Sequence, residues 1–168
     1  PLTVKGIAAE VPDNSQSDIP NEYDLHYEYS KGVSMHLHHV SKEDLVSKVY
    51  IRFYGSKGWV SVTGFRGQFD ASDPAILKTK YNPETSGHFP IPAREHANFI
   101  ACIRSGENTT YMPRTLHLLS TTLHMGFIAA DLGRGLKWDP VKEAFINDAE
   151  ANSLMTRKSW RNWEEAQF

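Results

Sequence analysis

Cysteine is nearly absent: Cys102 is the single thiol in 168 residues, which excludes an internal disulfide and any cysteine-based zinc cluster. It sits in an apolar helical pattern, where a buried, inert side chain is expected rather than a nucleophile. No apolar run reaches the length of a membrane span, and the opening residues PLTVKGIAAE lack the basic and apolar blocks of a secretory signal. A soluble chain without a membrane partner is expected, with cytoplasm and periplasm both compatible. Charge of one sign is also scarce. Eighteen basic residues against 20 acidic ones give a net charge of -2 with no basic run, so the electrostatic footprint that nucleic acid requires is missing. Neither G-x-G-x-x-G nor G-x-x-x-x-G-K-[ST] occurs, and there is no G-x-S-x-G, which leaves no dinucleotide loop, P-loop or nucleophile elbow.

What is present is an ordinary globular composition, 40% hydrophobic and 23% charged. A domain of this length buries about 70% of its unfolded surface, enough for a real core. Pro1 to Ala9 already reads as a strand, so the chain is expected to be a piece of a longer protein. Leu25, Tyr27 and Tyr29 alternate with His26 and Glu28. After the turn residues Ser30-Lys31-Gly32, Val33, Met35 and Leu37 alternate with Ser34, His36 and His38. That pattern predicts a hairpin. A second hairpin is predicted from Val49 to Val62 around Gly55-Ser56-Lys57-Gly58, where glycine supplies positive φ. Residues 64–92 read as a long excursion with one short strand at Gln68 to Ala71.

The second half is helical. Pro92 suits a first turn, and Ala93, Ala97, Phe99, Ile100 and Ile103 lie largely along one side before Gly106 ends the run. Pro113 opens a longer helix whose expected core stripe is Leu116, Leu119, Leu123, Phe127 and Ala130, with Gly133 as its cap. Asn147 and Glu150 have the form of a capping box for a last helix from about Asp148 to Met155. Strands first and helices afterwards predict an α+β domain: an open-faced, mainly antiparallel sheet with helices on one face and a second face that needs a cover.

Histidine is the conspicuous residue of the predicted hairpin. His36 and His38 share one face of their strand, and His39 lies on the other or at its end. H-x-H-x-x-x-x-E, His36 to Glu43, resembles the first motif of the cupin family, but the upstream glycine stands closer than that motif requires, and the glycine after the glutamate and the second cupin motif are missing. A polar sheet face outweighs a metal site of His36, His38 and Glu43, which stays as the minority reading. His117 and His124 flank the apolar stripe of the long helix, and a seven-residue spacing favours boundary histidines over paired ligands. Glu95 suits a helix N-terminus better than a cationic His96 does, and Arg104 suits the other end.

The order of pieces in the tail adds a family resemblance. LGRGLKWDP, the E-x-F-x-x-D-x-E-A-N of Glu143 to Asn152, and the terminal Arg161 and Trp163 resemble the carboxy-terminal end of the Gfo/Idh/MocA oxidoreductase superfamily, in its bacterial branch. EHANFIACIRSGE is similar to that family's H-x-N-F-x-x-C-I-R-S helix, through His96, Asn98, Phe99, Cys102, Ile103, Arg104 and Ser105. PLTVKG resembles the strand that enters its substrate domain, and YGSKGWVSV its glycine-turn hairpin. The resemblance implies that residues 1–168 form a substrate and oligomerisation domain, and that a Rossmann domain outside these residues binds NAD or NADP. The reaction implied is hydride transfer to or from a sugar, cyclitol or polyol. The family's catalytic lysine, aspartate and histidine motifs have no match here, so no catalytic or cofactor-binding residue is expected in this chain, which alone should be inactive. His36, His38, Tyr27 and Tyr29 are the expected cleft or interface residues, able to hydrogen-bond hydroxyls, stack on sugars or pack a second copy in a homo-oligomer. The rival readings are a non-catalytic sugar-binding or interaction module and the His-based metal-binding β protein.

Overall fold

The computed structural model describes residues 1–8, 11, 14–16, 20, 22–39, 50–63, 67–80, 82, 84 and 94–156. Glu43, Val49, residues 64–66, Pro92, Ala93, Arg161 and Trp163, which figure in the sequence reading, lie outside them. The chain forms two compact units, Pro1–Ser41 with Tyr111–Phe168, and Lys42–Thr110. The fold class is α+β, with open antiparallel sheets in both units.

In the first unit, β1 (Thr3–Ala8), β2 (Tyr23–Glu28), β3 (Ser34–His39), β7 (Leu136–Asp139) and β8 (Ala144–Phe145) form a sheet of order β3-β2-β1-β7-β8. The hairpin expected around Ser30-Lys31-Gly32 is there. Its turn is a short 3-10 segment in which Lys31 and Gly32 adopt φ of 63° and 70°, and it sets the register His26↔His36 and Asp24↔His38. The long helix, Pro113–Asp131, crosses one face, and the core of Val4, Leu25, Tyr27, Met125, Ile128, Ala129, Leu136, Trp138, Phe145 and Ala151 lies beneath it. Trp138 meets Phe145 edge-on at 5.1 Å.

The expected core stripe of that helix is corrected by its burial. Leu116, Leu119 and Leu123 are exposed, and the buried residues are Met125, Gly126, Ile128 and Ala129. Residues 113–120 are exposed on every side, so burial is confined to the second half of the helix, where Phe127 and Ala130 of the expected stripe are half-buried, Phe127 edge-on to Tyr23 at 5.5 Å. Where the helix does dock, it approaches β1 closely. A Cβ built on Gly6 of β1 would come within 2.8 Å of the Gly126 carbonyl oxygen and 2.9 Å of Ala130 N. Gly126 lets the helix backbone sit this near the strand, and Met125, Ile128 and Ala129 are buried around that contact.

The second unit holds β4 (Tyr50–Gly55), β5 (Gly58–Thr63) and β6 (Gln68–Ala71) in that order, with α1 (Pro74–Leu77) and α2 (Glu95–Ser105). The strand expected at Gln68 to Ala71 is β6. Gly58, at φ 133°, could carry no side chain, since a Cβ would meet Ser72 Oγ at 2.1 Å, and that hydroxyl accepts the Trp59 N–H at 3.0 Å. Asp73 caps α1 by accepting from Ala75 N, and Gly106 ends α2 in the left-handed region at φ 76°. Phe99, Ile100 and Ile103 are exposed. With the two short helices of the second unit numbered α1 and α2, Pro113–Asp131 is α3 and Ala149–Ser153 is α4. None of the described helices is long and apolar enough to cross a membrane.

Candidate functional site

Among the described residues, helix covers one side of the first unit's sheet, so pleat and register decide which side chains meet that core and which face the other way. Val4, Gly6, Leu25, Tyr27, Met35 and Leu37 turn toward the helix. The opposite face carries Lys5 and Ile7 from β1, Asp24, His26 and Glu28 from β2, Ser34, His36 and His38 from β3, and Lys137 from β7.

This register divides the four expected site residues. His36 and His38 stand on the outward face. Tyr27 pairs with Met35 and Val4, shares their side, and is 0% exposed. Tyr29 has the same parity and packs half-buried against the core beside Thr122. Residues paired across a ladder share a face, so neither tyrosine can join the histidines. The Tyr27 hydroxyl has no hydrogen-bond partner among the described residues, and burial pushes it up to about 12.

Two residues missed from sequence take the tyrosines' place. Asp24 and His26 sit directly across from His38 and His36. His36 Nε2 donates to Asp24 Oδ1 at 2.8 Å, and His26 Nε2 lies 2.7 Å from the same oxygen. The two rings stack with centroids 4.0 Å apart and planes 19° apart, and the His38 ring lies 4.8 Å beyond His36. Partial desolvation raises the Asp24 pKa, but the His36 hydrogen bond and the charges of His36, His26 and His38 outweigh it and hold the carboxyl below its ordinary value. The signal was available: a turn centred on Lys31 places position 26 opposite 36 and 24 opposite 38. Shallow grooves flank this ladder, one of about 380 Å³ at Lys5, His26, Glu28 and Lys137, and one of about 500 Å³ at Ile7, Asp24, His36 and His38.

The remaining candidates serve the scaffold. His117 Nε2 and Arg114 Nη1 both donate to Glu143, at 2.7 and 3.1 Å, tying the start of α3 to the turn between β7 and β8. His124 and His96 are exposed. Cys102 is half-buried rather than buried; its sulfur accepts from Asn98 Nδ2 at 3.6 Å and donates to Asn108 O at 3.3 Å, while Asn98 Oδ1 accepts the Thr110 N–H at 3.0 Å. The H-x-N-F-x-x-C-I-R-S segment thus fastens the loop after its own helix.

The tail motif works the same way. Arg134 forks onto Asp148 and also reaches Glu150 at 2.8 Å, which raises the Arg134 pKa and holds Asp148 at about 2. Asn152 brackets the backbone of Phe145, donating to its carbonyl and accepting its N–H, each at 2.8 Å. Asp139 accepts from Val141 N and Lys142 N. The last helix is capped by Asp148, accepting from Ala151 N at 3.0 Å, and not by the expected Asn147, which is held at φ 53°. Glu150 is drawn to Arg134 instead of closing a capping box.

Comparison with curated proteins returns no match, and comparison with solved structures returns none. A family model, described as the oxidoreductase family C-terminal alpha/beta domain, matches residues 4–165. The match spans both units and every motif just described, and the chain belongs to the Gfo/Idh/MocA oxidoreductase family as its C-terminal alpha/beta domain.

Proposed function

We propose that this chain is the substrate-cleft and oligomerisation domain of a longer NAD(P)-dependent oxidoreductase acting on a sugar, cyclitol or polyol. The observation that carries the reading is the outward sheet face, where acids, imidazoles and ammonium groups stand in one layer beside two shallow grooves. Vicinal hydroxyls are recognised by such mixed donors and acceptors. Ile7, 66% exposed in the middle of that polar layer, supports packing against a second copy.

The dinucleotide does not fit these residues. Pyrophosphate is held where a parallel strand runs through a glycine-rich turn into a helix N-terminus, and the described strand pairs here are all antiparallel. The family's chemistry therefore assigns cofactor and hydride transfer to a nucleotide domain outside this chain, and this domain orients substrate and excludes water.

Kinetics of the nucleotide-domain-containing protein against a panel of sugars, cyclitols and polyols test the reading. His38→Ala should raise KM for the best substrate with kcat largely kept, and Ile7→Asp should dissociate the oligomer in sedimentation. Unchanged KM together with unchanged assembly would sink it.

A further inference from the structure

The histidine ladder has a second property that hydroxyl recognition does not require. Asp24, His26 and His36 each present a ligand atom, and these atoms all lie within 4.8 Å of one another. Tetrahedral zinc with bonds of about 2.0–2.1 Å sets its ligand atoms roughly 3.3 Å apart. To admit an ion at such bond lengths, the two histidine–carboxylate contacts, 2.7 and 2.8 Å now, open by about half an ångström and the stacked His26 and His36 rings, 19° apart in plane, rotate so that both nitrogens aim at it. All three side chains are about half exposed, at 49%, 51% and 45%, so small rotations cost little packing.

The backbone supplies the preorganisation. His26 and His36 are directly opposed on adjacent antiparallel strands, which holds their Cβ atoms about 5 Å apart. Asp24 is two residues along from His26 on the same face, and the next rung brings His38 opposite it.

We infer that Asp24, His26 and His36 form a binding site for a divalent first-row transition ion of the zinc type, with His38 as the adjacent fourth donor. Imidazole and carboxylate suit zinc, nickel and copper, whereas calcium and magnesium require an oxygen cage that this face lacks among the described residues. The site differs from the His36, His38 and Glu43 set expected from sequence, because Asp24 and His26 come from β2, the strand paired with that of His36. It does not rest on the oxidoreductase reading, since the ladder is complete within one hairpin.

The test is a calorimetric titration of Zn²⁺ into the chelator-washed full chain, with Co²⁺ absorption as a second readout of tetrahedral ligation. The wild type should take up one equivalent per chain and give the intense visible bands of four-coordinate cobalt. His26→Ala and His36→Ala should each weaken binding by about tenfold or more and abolish those bands, with far-UV circular dichroism unchanged. His38→Ala should weaken binding less, and His124→Ala not at all. Uptake that survives in the His26→Ala, His36→Ala double variant, or falls equally in His124→Ala, would mean scattered surface imidazoles and overturn the site; so would a wild type that binds no equivalent.

Discussion

Gly6→Ala should destabilise the chain although alanine normally improves on glycine in a strand. Removing glycine's unfolded-state freedom favours the variant by roughly 0.5–1 kcal/mol. Against this, the new methyl would stand 2.8 Å from Gly126 O, 2.9 Å from Ala130 N and 2.9 Å from Leu25 Cδ2. Two of the three are backbone atoms of α3 and cannot rotate away, so the helix must lift off β1 along the core. Overpacking of this kind costs about 1–3 kcal/mol. A net loss of about 1–2 kcal/mol should lower the thermal midpoint by about 2–8 °C, at roughly 2–4 °C per kcal/mol for a chain of this size. The assay is thermal and urea unfolding followed by far-UV circular dichroism. Gly126→Ala probes the same contact from the helix. There, about 1 kcal/mol of helix propensity opposes a methyl 2.0 Å from Tyr27 Oη. Adding Tyr27→Phe removes that oxygen and should recover part of the loss, as coupled neighbours do in a double-mutant cycle. A Gly6→Ala midpoint at or above wild type would refute the argument that α3 docks backbone-to-backbone on β1.

Tyr27→Phe alone should leave stability unchanged or raise it by about 1 kcal/mol, because it deletes a buried hydroxyl without a described partner. Burial raises the Tyr27 pKa from 10.0 to about 12, so its contribution is fully present below pH 10 and lost as pH climbs from 10 to 12; unfolding across that window should flatten in the variant. Arg134→Gln should shift acid unfolding to higher pH. The Arg134 fork holds Asp148 at about 2 against an ordinary 3.8, so that stability is present above 3.8 and fades as pH falls toward 2. The check is an acid titration followed by tryptophan fluorescence.

Period-two alternation and turn chemistry made the two hairpins and β6 legible, since a half-buried strand leaves its pattern in every second residue. The faces were harder. Tyr27 and His36 both looked suited to a cleft, and only cross-strand register shows that they point to opposite sides. The same register was the available route to Asp24 and His26. In α3 the hydrophobic pattern misled, because leucines run along turns that are exposed on every side while the docking contact is set by Gly126 with Met125 and Ile128 in the second half. β7 and β8 are four and two residues long, too short for periodicity to register. Motif order in the tail led to the family, and in the structure Arg134, Asp139, Glu143, Asp148 and Asn152 of that tail are ties of the fold, which support ancestry rather than a reaction.

Under the proposed function this domain shapes the cleft and a nucleotide domain outside it binds the dinucleotide. Fluorescence titration of NADH and NADPH against the isolated chain, beside the nucleotide-domain-containing protein, tests that division most directly. Saturable binding by the longer protein and none by the chain is the expected result; saturable dinucleotide binding by residues 1–168 alone would contradict it.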